Sequence, residues 1–248
     1  MTTWRARTSA GVALAALAIG GCTAPPADEP ATAPAASGVV WGTTSTTAPP
    51  DLDALARAAS VRIEGASCDA TWTGSGFVVD LDGGGPDAPV VLTNRHVVEG
   101  FTSLRLVTQS GDELAVTDVL QLRFADIAII RVEGALPVPL RLASAAAAPG
   151  QDVTVFGYPG GGDLDRQTGT VIDFVRDIDF GLTEILRVDV WVRPGNSGGP
   201  MLDPTGAVVG VVYAIELATD LALAVPADAV ARLTGDTTAS RAVVPCGR

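Results

Sequence analysis

Residues 193–200 read Arg193-Pro194-Gly195-Asn196-Ser197-Gly198-Gly199-Pro200. Glycines on both sides of Ser197 allow the backbone to turn sharply, which exposes the hydroxyl beside backbone N–H groups. A serine hydroxyl is a weak nucleophile alone, so a catalytic role requires a base and a group that orients the base. The chain contains one histidine, His96, and the interpretation of this loop depends on it.

His96 follows an apolar β-type run, which predicts that its imidazole lies at a strand end beside a connection. Thirty residues later, Asp126 opens the apolar segment 127–132. A buried carboxylate needs a partner, and a histidine Nδ1–H would be one. That contact would fix the tautomer that leaves Nε2 free to accept the proton of Ser197. The three residues therefore form a candidate catalytic triad.

The order of these residues separates three hydrolase designs. The sequence Gly195-x-Ser197-x-Gly199 also fits the nucleophile elbow of α/β-hydrolases, but that fold places its histidine after the serine, and none follows here. A subtilisin-like order would need an earlier acid (Asp80, Asp82 or Asp87) and an α/β pattern, which this chain lacks. The order histidine, aspartate, serine is that of chymotrypsin-like enzymes.

Composition excludes several other functions. The formal net charge is −12, and the chain has no lysine, so a basic nucleic-acid footprint is absent and no nucleic-acid partner is expected. Without lysine there is also no Walker P-loop and no Schiff-base chemistry. We expect no cofactor and no metal.

The amino terminus predicts export. Residues 1–21 combine two arginines, an apolar run too short to span a bilayer, and small residues immediately before Cys22. This pattern resembles a bacterial lipobox, so Cys22 is the predicted lipidation site; the alternative is an ordinary signal peptide. Residues 22–50 are rich in Pro, Ala and Thr and predict a disordered linker. The folded domain then spans residues 51–248.

The cysteine count supports export as well. The chain has three cysteines, an odd number that needs an explanation in an exported protein. If Cys22 carries lipid, Cys68 and Cys246 remain as a disulfide pair; the alternative is that both are reduced and unrelated.

Residues from 61 onward form many short β-type runs, one of them at 76–80, which favours an all-β barrel or sandwich. Turns between such runs are predicted at 83–86, 110–112 and 203–206. Short helices are predicted at 51–60, with Asp51 as a possible N-cap, and at 226–234. The length after the linker is sufficient for two small β-barrels.

Four blocks of sequence resemble trypsin-like peptidases of the HtrA type. They are Gly74-Ser75-Gly76-Phe77-Val78-Val79, Leu92-Thr93-Asn94-Arg95-His96-Val97-Val98, Asp126-Ile127-Ala128 and Gly195-Asn196-Ser197-Gly198-Gly199-Pro200. The segment Phe156-Gly157-Tyr158-Pro159-Gly160-Gly161-Gly162 and the placement of Cys68 and Cys246 are most similar to the MarP-like periplasmic acid-resistance proteases of actinobacteria.

The resemblance implies two packed six-stranded antiparallel β-barrels, at about 61–142 and 150–225, with a C-terminal helix at about 226–234. It implies catalysis by His96, Asp126 and Ser197 and an oxyanion hole built from the N–H groups of Gly195 and Ser197. Residues resembling the walls of the substrate pocket are Trp191, Val192, Tyr213 and Ala214. No aspartate stands where a trypsin-like pocket holds one, so an apolar substrate side chain is expected; the alternative for Trp191 is an ordinary core position.

The expected function is an extracytoplasmic serine endopeptidase that cleaves protein or peptide substrates through an acyl-enzyme. Asn196 stands where digestive trypsins carry the aspartate that pairs with a new N-terminus, so activation by that ion pair is not expected. No PDZ-like segment or multi-helix membrane domain is recognised, and a lipid on Cys22 would anchor the protein to the membrane, facing the periplasm. The alternatives are a catalytically silent, peptide-binding lipoprotein of the same fold and an esterase.

Overall fold

The first β-barrel is built from six antiparallel strands. In a computed structural model of the protein, residues 49–81, 89–176, 184–234 and 237–239 are described. The strands are β1 (Ser60–Ala66), β2 (Thr71–Asp80), β3 (Val90–Thr93), β4 (Ser103–Thr108), β5 (Glu113–Leu122) and β6 (Ala128–Glu133). They pair in the order β1-β4-β5-β6-β3-β2, and β1 also pairs with β2, which closes the barrel.

The second barrel follows a short strand, β7 (Leu140–Arg141), that pairs in parallel with β2. Its strands are β8 (Asp152–Gly157), β9 (Asp165–Val175), β10 (Ile185–Asp189), β11 (Pro200–Leu202), β12 (Val208–Glu216) and β13 (Leu221–Pro226). They close in the order β10-β13-β12-β11-β8-β9. The predicted fold of two six-stranded antiparallel barrels is confirmed.

Alternating apolar residues explain why the barrels pack together. In β2, Val78 belongs to the core inside the first barrel, whereas Phe77 and Val79 belong to a second cluster that also contains Phe156 and Val211 of the other barrel. Successive side chains of a strand point to opposite faces, so one strand serves the barrel interior and the layer between the barrels. Burial of this shared layer fixes the cleft where the two barrels meet.

Helices flank the barrels as predicted. In α1 (Leu52–Ala59), the Asp51 side chain accepts the Ala54 N–H at 3.1 Å, which confirms Asp51 as the N-cap. A one-turn helix, α2 (Arg95–Val98), carries His96 after β3. The last helix, α3 (Ala227–Leu233), precedes a short strand, β14 (Thr237–Ala239), which returns to pair with β5 of the first barrel. Among the helices of the described ranges, none is long and apolar enough to cross a membrane.

Several short elements differ from the sequence prediction. The strand predicted over 76–80 begins at Thr71, and the three-residue β11 lies in a segment whose glycines and proline predicted only a loop. The turns predicted at Ser110-Gly111-Asp112 and near Gly206 are present, with φ of +91° at Gly111 and +82° at Gly206. The turn predicted at 83–86 lies outside the described residues.

Candidate active site

His96 and Asp126 form a pair at one edge of the first barrel. The Asp126 side chain is buried, and its Oδ2 lies 2.5 Å from His96 Nδ1. Its other oxygen, Oδ1, accepts the backbone N–H of His96 at 3.0 Å. An ionised carboxylate can only accept hydrogen bonds, so the proton between the two side chains is assigned to Nδ1. This leaves Nε2 of a half-exposed imidazole available for proton transfer.

Asn94 helps to hold the pair of His96 and Asp126 in place. Its side chain is fully buried, and Nδ2 donates to the backbone carbonyl of Asp126 at 2.8 Å. The turn before β6 and the residue that precedes α2 are therefore tied together directly. Asn94 makes no side-chain cap to the α2 turn: its Nδ2 is used for Asp126, and its buried Oδ1, the atom that would accept a cap N–H, has no hydrogen-bond partner among the described residues. Both members of the pair are held by backbone and side-chain contacts at once.

The loop that carries Ser197 is a tight turn followed by a second one. Asn196 N–H donates to the Arg193 carbonyl at 2.9 Å, with Pro194 second and Gly195 third in the turn, and Gly195 has φ of +103°. Proline in the second position and a positive φ in the third are features of a type II turn. A Cβ on Gly195 would lie 2.4 Å from the Tyr158 carbonyl oxygen, so only glycine fits there without movement.

Two backbone N–H groups of this loop point away from the protein's own acceptors. The Pro194 carbonyl accepts the N–H of Gly160 at 2.9 Å, and the Asn196 carbonyl accepts the N–H of Gly199 at 2.9 Å. In a trans peptide the N–H points opposite to the C=O, so the amides of Gly195 and Ser197 face the other way. Within the described residues neither amide has an acceptor. Such a pair of donors can bind an oxyanion.

The Ser197 hydroxyl points toward the second barrel in this structure. Oγ donates to the carbonyl of Tyr213 at 3.4 Å, and in the described part of the chain no hydrogen bond joins it to His96. A contact of 3.4 Å is weak for an O–H donor, whose usual distance is about 2.7–2.8 Å. Rotation of the side chain is therefore inexpensive, and catalytic hydrogen bonds often tighten only when substrate binds.

An open, largely apolar cleft lies next to Ser197. Its volume is about 310 Å³, and its apolar walls include Val192, Val212, Ala214, Ile215 and Leu217. No acidic side chain is among its lining residues. The structure thus brings two of the predicted pocket residues, Val192 and Ala214, beside the serine. Tyr213 contributes its carbonyl to the Ser197 contact.

Trp191 is placed differently. It is 61% exposed and is not among the lining residues of the cleft, so the alternative of an ordinary core position is wrong. The Arg193 guanidinium lies 4.7 Å from the centre of its ring, and Arg193 Nη2 lies 3.1 Å from Asp165 Oδ2. Burial acts to raise the pKa of Asp165, but hydrogen bonds from Gln167 and Arg193 hold that pKa below its usual value. Arg193 is therefore fixed from two sides.

Sequence reasoning assigned no role to Asn94 or to the N–H of Gly160. Asn94 could have been found, because an amide between an apolar strand and the candidate base is an unusual core residue. The hydrogen bond from Gly160 could not be predicted from the sequence, because any residue except proline supplies a backbone donor. Its partner, Pro194, also lies 34 positions away.

The two barrels and their shared site define a protein of the chymotrypsin-like fold class. A family model described as a trypsin-like peptidase domain matches residues 74–211, more than half of the chain. The protein belongs to the trypsin-like peptidase family.

Two relatives show the reach of the similarity. Serine protease Rv3671c of Mycobacterium tuberculosis (strain H37Rv) is 36% identical over 156 residues, which cover 59% of this chain and 37% of the relative. Protease Do-like 1, chloroplastic, of Arabidopsis thaliana is 33% identical over 154 residues, which cover 58% of this chain and 33% of the relative. The chain matches about a third of the length of these curated relatives.

Solved structures extend the match. The active form of Rv3671c protease from M. tuberculosis has a TM-score of 0.68 at 27% identity, covering 80% of this chain and 91% of that chain. The HtrA-type protease AlgW with tripeptide has a TM-score of 0.59 at 22% identity, covering 71% and 58%, and shares the fold. Both support the barrel assignment, and the first also supports the HtrA-type relationship.

Proposed function

We propose that the protein is a serine endopeptidase that hydrolyses peptide bonds through an acyl-enzyme. The observation that carries this proposal is the buried Asp126 hydrogen-bonded to His96, together with a serine loop in which the N–H groups of Gly195 and Ser197 have no acceptor among the described residues. The family membership and the names of the relatives, which are serine proteases, support it.

The chemistry follows from the roles these atoms can perform. Ser197 Oγ turns from Tyr213 and attacks the scissile carbonyl while Nε2 of His96 accepts its proton. Asp126 stabilises the resulting imidazolium, and the amides of Gly195 and Ser197 bind the oxyanion. His96 then gives the proton to the leaving amine, which departs, and water attacks the acyl-enzyme with His96 again as base. The ester bond to Ser197 then breaks, His96 returns the proton to Oγ, and the new carboxylic acid leaves.

The cleft next to Ser197 favours an apolar side chain on the acyl side of the cut. Val192, Val212 and Ala214 line it, and its described lining residues include no carboxylate that could pair with Lys or Arg. An unpaired cation in an apolar site is costly, so basic side chains are disfavoured there. A peptide library should show cleavage after small and medium apolar residues. Cleavage mainly after Lys or Arg would contradict this assignment.

Labelling of Ser197 tests the enzyme proposal. The full-length protein, a Ser197→Ala variant and a Ser144→Ala variant are incubated with a fluorescent fluorophosphonate, and peptide hydrolysis is measured on the same samples. We expect labelling and turnover in the wild type and in Ser144→Ala, and neither in Ser197→Ala. Absence of Ser197-dependent labelling in folded wild-type protein would refute the proposal that the protein is an enzyme. Labelling without turnover of any peptide would favour the peptide-binding alternative, and turnover of esters alone would favour an esterase.

The exported, lipid-anchored state is part of the same proposal. It rests on the signal-like residues 1–21, which precede Cys22, on the Pro-, Ala- and Thr-rich residues 22–50, and on a domain that begins near residue 51. Metabolic labelling with a fatty acid, with Cys22→Ser as control, tests the anchor. Label retained in Cys22→Ser, or absent from the wild type, would contradict it.

A disulfide between Cys68 and Cys246 completes the proposal. Cys68 is disulfide-bonded, which supports the pairing, whereas Cys246 lies outside the described residues. Mapping of the bond by peptide mass spectrometry without reductant should recover a linked peptide containing both cysteines. A linked peptide that joins Cys68 to any other cysteine would overturn the assignment.

A further inference from the structure

Ser75 of the first barrel is fully buried and holds the nucleophile loop of the second barrel. Its Oγ donates to the Gly195 carbonyl at 2.6 Å and accepts the N–H of Tyr158 at 2.8 Å. Its backbone N–H donates to the Ser197 carbonyl at 2.8 Å. Its carbonyl accepts the hydroxyl of Thr93 at 2.7 Å. Every hydrogen-bonding group of this residue therefore has a partner outside its own strand.

These partners connect the elements whose relative positions matter for catalysis. Gly195 and Ser197 are the two loop residues whose N–H groups have no acceptor within the described residues, and Ser75 binds the carbonyl of each. Thr93 is the last residue of β3, which delivers His96 to the site. One residue thus links the strand of the base to the loop of the nucleophile.

The hydroxyl of Ser75 is closely packed and both of its hydrogen-bonding functions are used. The site is buried, and a Cβ added to Gly157 would already lie 3.0 Å from Ser75 Oγ. A hydroxyl is one donor and an acceptor on one small atom, and both functions are used here. Its removal leaves the Gly195 carbonyl and the Tyr158 N–H unpaired in a buried place, a situation that drives local rearrangement.

We propose that Ser75 is a positioning residue that sets the orientation of the Gly195 peptides and thereby the oxyanion hole. This inference rests on the proposed peptidase function. When the Gly195 carbonyl loses its donor, the turn can rotate, and the Gly195 N–H no longer meets the developing oxyanion. Loss of a full oxyanion donor costs about 10²–10³-fold in kcat, so partial misplacement costs less.

Ser75→Ala is compared with Ser60→Ala, a matched control. Ser60 is also a buried serine of the first barrel, but its Oγ has no hydrogen-bond partner in the part of the chain that the structure describes. We expect Ser75→Ala to lower kcat about 10- to 100-fold with KM within about twofold, and to slow fluorophosphonate labelling in parallel. Ser60→Ala should keep both rates. Rates are normalised to the folded fraction, so a purely structural role would lower Tm but leave kcat unchanged.

A second pair of variants tests the same role without relying on Ser75→Ala. Ser75→Thr and Ser75→Val add the same bulk and differ only in the hydroxyl, so their ratio isolates the hydrogen bonds even if both fold less well than the wild type. We expect kcat of the Thr variant to exceed that of the Val variant at least tenfold. Equal kcat within this pair, or an unchanged kcat in Ser75→Ala, would overturn the positioning role. Wild-type protein without Ser197-dependent activity would instead refute the peptidase proposal itself.

Discussion

Replacement of Gly195 by alanine tests whether the turn before Ser197 builds the oxyanion hole. Gly195 has φ of +103°, a conformation in which a Cβ is strained by about 1–3 kcal/mol. The added Cβ would also lie 2.4 Å from the Tyr158 carbonyl oxygen and 2.6 Å from the Gly160 nitrogen. The loop must therefore move by at least about 0.6 Å to reach even 3.0 Å. Gly160 is the donor that holds the Pro194 carbonyl, so this movement disturbs the peptide that carries the Gly195 N–H.

The expected size of the effect follows from the donor that is lost. Removal of one oxyanion donor costs about 10²–10³-fold in kcat, or about 2.7–4 kcal/mol of barrier. We expect Gly195→Ala to lower kcat by this factor on a peptide p-nitroanilide, with a smaller change in KM, because the donor acts most strongly on the developing charge. The folded state should also lose about 1–3 kcal/mol of stability from backbone strain.

Gly150→Ala is the matched control for strain alone. Gly150 has φ of +84°, and a Cβ there would meet nothing within 4 Å. Its variant should lower the unfolding free energy by a similar backbone cost but leave kcat unchanged. The assay compares active-site-titrated kcat with the midpoint of denaturant unfolding for both variants. A Gly195→Ala enzyme with wild-type kcat would refute the assignment of this amide to the oxyanion hole.

Three further outcomes are expected. Asp126→Asn should lower kcat about 10³–10⁴-fold at neutral pH with little loss of folding, since the amide favours the wrong tautomer of His96; a loss below tenfold would contradict its orienting role. His96→Gln should lower kcat by orders of magnitude, because an amide cannot accept the serine proton, and turnover near that of the wild type in this variant would exclude His96 as the base. Burial raises the pKa of Tyr158 to about 12, so the folded state retains this proton longer than the unfolded chain, and stability should fall by at most about 3 kcal/mol between pH 10 and 12. Chemical unfolding of wild type and Tyr158→Phe checks this, and an equal alkaline loss in both proteins would exclude Tyr158 as the cause.

The chemistry-bearing residues were accessible from the sequence because their types are rare or locally constrained. A single histidine leaves one candidate base, and an acid opening an apolar strand needs a partner. Glycines around Ser197 signalled a turn, and the structure explains two of them: Gly195 and Gly198 both have positive φ. Local residue type was sufficient for these predictions because each depends on chemistry or backbone conformation at one position.

Contacts between distant segments were not accessible in the same way. The bond from Ser75 to Gly195 spans 120 positions, and nothing in a serine between glycines reveals which carbonyl its hydroxyl will reach. Trp191 was expected either in the pocket wall or in the core, yet its ring is exposed and faces Arg193. The sequence is compatible with any of these positions for an aromatic residue near a loop, and the packing of the second barrel determines which one Trp191 occupies.

The short strand β14 has a consequence for how the chain reaches its native state. It pairs Thr237–Ala239 with Leu120–Leu122 of β5, on the edge opposite to that used by β6. The last strand contact of the first barrel is therefore supplied by residues made after the entire second barrel. Contacts of such high sequence separation carry a large loop-closure entropy and slow folding. During synthesis, therefore, β14 can cover this edge of β5 only after the C-terminal segment has emerged from the ribosome.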